Sequence, residues 1–194
     1  MILEIVTYGH PVLRQPGVPI EKITPEISQL VSDMIETMDH AHGVGLAAQQ
    51  VGYALQLLVI DVREVTDRPS TLFIGGNEVD VAKHMPMVLI NPVIKPVGEL
   101  EPGPEGCLSF PELYAEIERP RTIEVQAMDQ NGTNIEFRCG GLLSRAIQHE
   151  MDHLRGILFI DRMSSLDKAE LKGELDKLQS KTKAALAKSK NKKS

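Results

Sequence analysis

The residues with the most obvious chemical capacity stand together late in the chain, as His149-Glu150-Met151-Asp152-His153. On a helix turning 100° per residue the two histidines lie about 40° apart and one turn on, so both imidazoles reach a single cation. Glu150 flanks them, placed to exchange a proton with water bound to that cation without being a ligand itself. This is the one such pattern among six histidines. It lies in a stretch where Leu142, Leu143, Ala146, Ile147 and Leu154 recur at helical spacing, which sets the pattern against a core.

A catalytic centre of this kind takes three protein ligands and keeps one position open. No Cys or His follows Gly156, so the third donor is expected upstream. Cys107, within Pro102-Gly103-Pro104-Glu105-Gly106-Cys107-Leu108-Ser109, is the candidate, because glycine permits close backbone approach and a thiolate suits Zn²⁺ or Fe²⁺. A lone cysteine is more often a small buried hydrophobe, which is the expectation for Cys139. In Gly43-Val44-Gly45-Leu46-Ala47-Ala48-Gln49-Gln50-Val51-Gly52 small residues crowd ahead of an amide. Gln50 would donate its NH₂ to developing negative charge. By itself, such a loop equally reads as tight packing of a helix onto a strand.

These residues need elements to position them. Thr24-Pro25 reads as an N-cap with proline at the first helical position, and Ile27, Leu30, Val31, Met34, Ile35 and Met38 continue at helical spacing towards Gly43. Residues 53–60 read as a largely buried strand. Residues 61–86 are polar and irregular and are expected to form a long surface connection, ahead of a strand at Met87–Asn91 that Pro92 ends. Residues 96–111, rich in proline and glycine, are expected to be non-repetitive backbone. Residues 113–128 and 134–139 alternate as antiparallel strands, joined at Asp129-Gln130-Asn131-Gly132 by a turn whose Asn-Gly suggests positive φ at both residues. A helix then runs from Gly140-Gly141 to a C′ glycine at Gly156; Arg145, one turn before His149, could rim the site, but extension to water is the favoured reading. A last helix follows Ser164, with Leu166, Leu171, Leu175 and Leu178 on one stripe and a fraying lysine-rich end. The expected domains are therefore a catalytic unit over 1–163 and a helical tail over 164–194.

With 194 residues, 42% hydrophobic and 25% charged, the chain matches one globular domain and excludes a disordered or fibrous one. It has no run of roughly 20 apolar residues, and Glu4 interrupts the opening apolar stretch, so neither a membrane span nor a signal peptide is expected. A cytoplasmic location and reduced thiols follow as the default. The net charge of −6 hides an asymmetry: residues 177–194 carry seven lysines and no acid. The remainder, 14 basic against 27 acidic residues, stands at −13. Such a body disfavours nucleic-acid binding, while a basic tail can meet RNA phosphates.

Gly43 to Gln50, Glu105-Gly106-Cys107-Leu108-Ser109 and Gln148-His149-Glu150-Met151-Asp152-His153 together resemble the three signature motifs of peptide deformylase, in that family's order and with comparable spacing. The likeness extends over Ile2–Ile20, with Tyr8-Gly9-His10-Pro11-Val12-Leu13-Arg14, and over Val88–Pro92, reaching Arg162. It implies an α+β fold with antiparallel strands around the metal helix, and hydrolysis of the formyl group from N-formyl-methionyl nascent peptides, giving formate. It implies one divalent ion per chain, Fe²⁺ before Zn²⁺, Ni²⁺ or Co²⁺, held by Cys107, His149 and His153. Glu150 would be the general base and acid, and Gln50 with the Leu108 N–H the oxyanion donors. Substrate backbone would pair with Val44-Gly45 and the neighbourhood of Glu105-Gly106 as an added strand. The ribosome is a candidate partner for the basic tail; a membrane or a specific nucleic-acid sequence is not.

Two other readings compete. A zinc endopeptidase would use the same helix, but such enzymes usually draw their third ligand from downstream. A silent metal-stabilised binding protein would need neither Glu150 nor Gln50, since structural sites have closed shells.

Overall fold

The structure is a computed structural model and describes residues 1–193. Three α-helices, α1 (Pro25–His40), α2 (Gly141–Leu154) and α3 (Ser165–Lys192), accompany seven strands: β1 (Gly45–Ala47), β2 (Leu57–Ile60), β3 (Ser70–Ile74), β4 (Asn77–Glu78), β5 (Met87–Cys107), β6 (Phe110–Met128) and β7 (Asn134–Gly140). The strands form one sheet in the order β1-β2-β5-β6-β7-β3-β4, with every neighbouring pair antiparallel. The α+β architecture expected from the sequence is the one observed. No helix among the described residues is long and apolar enough to cross a membrane.

Strand β2 explains how two helices flank one sheet. All four of its residues are buried. Because side chains alternate, Leu57 and Val59 join α1 residues Met34 and Met38 in one cluster, while Leu58 and Ile60 join Leu143, Ile147 and Met151 of α2 in another. Met34 and Met38 are fully buried, worth about 1.5–3 kcal/mol each in transfer from water. Thr24 caps α1 by accepting the Ile27 N–H at 3.3 Å, as the sequence suggests. A third cluster gathers Leu13, Phe110, Phe159 and Leu175. In it α3 lies across the opening segment, with the Thr7 and Thr182 hydroxyls 2.6 Å apart.

Helix α2 is buried on nearly all sides, so its polar residues can only be paired internally or functional. Its start is held by residues 69–70, where Pro69 O accepts the Leu142 N–H and Ser70 Oγ the Leu143 N–H, both at 3.0 Å. Gly141 has φ 68° and a Cβ there would meet Pro69 O at 2.1 Å, so only glycine fits. At the other end Gly156, φ 74°, is the C′ residue, as expected.

Four local expectations are corrected. The 61–86 connection contains β3 and β4, and β3 pairs with β7; β3 is only five residues long and buries one of them, Leu72, so no alternation marks it. Residues 96–107 are extended and paired with β6, and Pro92 makes an irregularity rather than an end. Beyond Ile90 only β6 partners β5, so a proline nitrogen facing the open edge removes no ladder bond. In the turn after β6 only Gly132 has positive φ. There Asp129 Oδ1 accepts the Asn131 and Thr133 N–H groups at 2.9 and 3.0 Å, an Asx geometry that supplants the Asn-Gly turn. On α3, Leu166 is exposed and drops out of the apolar stripe.

Candidate metal centre and active cavity

Sequence separations of 42 and 46 residues close at one point: Cys107, at the end of β5, and His149 and His153, on α2, offer ligand atoms all within 4.8 Å of one another. Cys107 Sγ lies 3.4 Å from His153 Nε2. His149 donates its Nδ1–H to Glu105 Oε1 at 2.8 Å, leaving Nε2 with the free lone pair. The donor set fits a divalent ion. Burial alone disfavours charge on His149, yet the Cys107 sulfur and Glu105 raise its pKa well above the ordinary range, so without a cation the ring favours a proton on Nε2, which a bound ion would displace. Burial and His149 lower the pKa of His153, keeping that ring neutral as a ligand must be.

Glu105 is the hub of a buried ionic cluster. Its oxygens accept Arg119 Nε at 2.6 Å, Arg119 Nη2 at 2.8 Å and Arg145 Nη1 at 2.8 Å, besides His149. Burial pushes this carboxyl up, but the bonds from Arg119 and His149 win and hold it near 2. Arg119 continues to Asp152 at 3.0 Å, and Arg162 grips the same carboxylate through two bonds at 2.6 and 2.8 Å. The sequence offered no signal for Arg119 or Arg162; Asp152, inside the histidine motif, was in view without a role. Arg145 does not extend to water: Glu105 and the carbonyls of Ile117 and Glu101 hold it against the cavity.

Glu150 is buried, its Oε2 has no partner among the described residues, and burial pushes its carboxyl up to about 7. Gly45 makes room for it: a Cβ there would lie 2.8 Å from Glu150 Oε1. The Gln50 side chain has a fixed orientation. Its oxygen accepts the Ala47 N–H at 2.9 Å, which turns the NH₂ towards Cys107 Sγ at 3.5 Å and Ser109 Oγ at 3.3 Å. A cavity of about 350 Å³ opens here, lined by Val44, Gly45, Glu105, Gly106, Cys107, Leu108, His149 and Glu150 among others. The residues singled out from the sequence therefore converge, Gln50 through its contact with Cys107. The Glu105 side chain, however, is turned into the ionic cluster. Strand β1 lies at the sheet edge, its second side unpaired.

A family model described as polypeptide deformylase matches residues 2–169. The chain belongs to this family. A peptide deformylase of Methylacidiphilum infernorum is 48% identical over 179 residues, 92% of this chain and 94% of that one. One of Opitutus terrae is 42% identical, covering 95% and 97%. Among solved structures, a peptide deformylase from Synechococcus elongatus in complex with actinonin shares 40% identity with a TM-score of 0.73, covering 93% of this chain and 85% of that one. Arabidopsis thaliana peptide deformylase 1B in complex with an inhibitor shares 35% with a TM-score of 0.80, covering 94% and 93%. The chain is thus a deformylase acting on nascent formyl-peptides, a metal-dependent hydrolase with a Cys/His/His cluster able to take the ion.

Proposed function

We propose that this deformylase frees the N-terminal methionine of nascent polypeptides with Cys107, His149 and His153 as ligands, Glu150 as the proton carrier, and Gln50 with the Leu108 N–H as donors to the formyl oxygen. One observation carries the reading: a buried carboxylate with an unpartnered oxygen beside three convergent ligand atoms. When bound, the ion supplies Lewis-acid chemistry, polarising the carbonyl and making water a competent nucleophile at neutral pH. Fe²⁺ is the proposed ion because the family resemblance implies it, with Zn²⁺, Ni²⁺ or Co²⁺ as substitutes; one thiolate and two imidazoles suit all of these cations.

Glu150 is suited to both halves of the proton transfer. A group titrating near neutrality gives up and regains a proton at little cost; a cation at the adjacent donors opposes the upward shift. It takes a proton from the attacking water and returns it to the amide nitrogen, so that the products are a neutral amine and formic acid, which gives up its own proton to solvent to become formate. The Gln50 amide needs no reorientation to donate to the formyl oxygen as charge develops, a contribution of about 3–4 kcal/mol for a fixed donor. The open edge of β1 at Val44-Gly45 and the backbone near Glu105-Gly106 accept the peptide as an added strand. Val44, Leu108, Leu113, Leu142 and Ala146 supply apolar cavity wall for the methionine side chain.

Residues 1–163 form the proposed catalytic unit and 164–194 its appendage. The lysine-rich end of α3 is proposed to touch ribosomal RNA, and the cytoplasm is the proposed place of action. The deciding experiment measures formate from formyl-Met-Ala-Ser under anaerobic conditions, with metal content on the same sample. Glu150→Gln should retain metal and lose turnover; retained turnover would remove Glu150 from its role.

A further inference from the structure

Of the nine arginines in the chain, seven are ion-paired with an acid: Arg14, Arg63, Arg119, Arg121, Arg138, Arg145 and Arg162. Arg155 is exposed to solvent. Arg68 alone is half-buried with no hydrogen-bond or ion-pair partner among the described residues, and it lines the cavity that holds His149 and Glu150. A guanidinium is always charged, offers five N–H donors and accepts nothing. Drawing it partly out of water without a matching acid is unfavourable. The absence of a match is notable in a body with 27 acids.

The neighbouring acids do not supply one. Glu105, on the same cavity, is saturated by Arg119, Arg145 and His149. Glu101, in the adjoining groove that Arg68 also borders, is held by Arg121 at 3.3 Å. Asp67 does not line the cavity, and Glu112, which does, is exposed on β6. We infer that Arg68 is a specificity-determining residue that favours substrates with an Asp or Glu side chain among the residues directly after the formyl-methionine. The inference rests on the deformylase reading of this cavity. An extended peptide advances about 3.3 Å per residue with side chains alternating in direction, so only one of the first following positions is expected to face the guanidinium.

The test uses the full metal-loaded chain, prepared without oxygen, and C-terminally amidated peptides: formyl-Met-Glu-Ala and formyl-Met-Ala-Glu, each beside its Gln counterpart. The readout is the Glu-to-Gln ratio of kcat/KM within one preparation, which is independent of how much protein is folded or loaded. The expected ratio is about fivefold at one position, the scale of one ion pair at a partly exposed site. It should approach one in Arg68→Gln and invert in Arg68→Glu. A ratio near one at both positions in the parent, or a preference undiminished in Arg68→Gln, overturns the inference. The Gln peptides are also made as free acids, and a gain seen only with these likewise overturns the inference, since Arg68 would then read the chain end. No formate from any formyl-methionyl peptide would overturn the deformylase reading itself.

Discussion

Replacing Glu105 by glutamine should loosen the protein and its hold on metal together. Each Glu105 oxygen receives two donors: Oε1 takes Arg119 Nη2 and His149 Nδ1, while Oε2 takes Arg119 Nε and Arg145 Nη1. An amide keeps one acceptor oxygen, so in either orientation two donors meet an NH₂ group. At about 1.5–3 kcal/mol for each bond involving a charge, the loss is roughly 3–6 kcal/mol, in line with about 3–5 kcal/mol for breaking a buried ion pair. Against a typical total of about 5–15 kcal/mol, Glu105→Gln should fold but melt early. Urea unfolding of the metal-free protein should show a fall of about 3–5 kcal/mol, and competition with a chromogenic chelator a 10- to 100-fold weaker affinity, as for loss of a carboxylate behind a ligand histidine. Glu101→Gln, which touches only an exposed pair, should cost under about 1 kcal/mol. A Glu105→Gln protein within about 0.5 kcal/mol of the parent, with unchanged metal affinity, would show that this cluster does not hold His149.

Gly45→Ala places a methyl against Glu150 and should lower kcat/KM by about 10²-fold with metal content unchanged; full activity would mean the carboxylate moves freely. Burial pushes the Cys139 thiol up to about 12, so iodoacetamide should leave it intact in the folded protein, and peptide mapping that finds it alkylated refutes this. Asp161 is partly buried, which raises its pKa, but the Arg14 bond prevails and lowers it below the ordinary 3.8. This pair should therefore stabilise the fold above that value and lose its contribution as pH falls through the lowered pKa; unfolding curves of parent and Asp161→Asn that stay parallel down the acid range would contradict it. Removing the residues after Lys183, which spares buried Leu175 and Thr182, should abolish a salt-sensitive co-sedimentation with ribosomes, and binding insensitive to salt would reject the tail's role.

The convergent residues were legible because their chemistry is local: a histidine pair one turn apart, a thiol directly after a glycine, an amide after small residues. The two long helices with Thr or Ser caps were legible for the same reason. What supports them was not, since the Glu105 cluster joins β5, β6, α2 and the Phe159–Arg162 turn, and single arginines at distant positions carry no periodicity. The extended course of residues 96–107 was hidden because proline forbids a strand only where its nitrogen must donate. Strand β3 was hidden because it is short and only Leu72 in it is buried.

Because Gln50, Cys107, His149 and His153 come from widely spaced stretches, the order of synthesis bears on the chain's vulnerability. The thiol is made more than forty residues before its first imidazole partner, and α3, the last helix made, completes the packing of the opening segment through Thr182 and Thr7. A half-made molecule therefore presents a bare sulfur to oxidants and stray ions, so premature termination ahead of α2 should leave fragments damaged at that atom while finished molecules are spared.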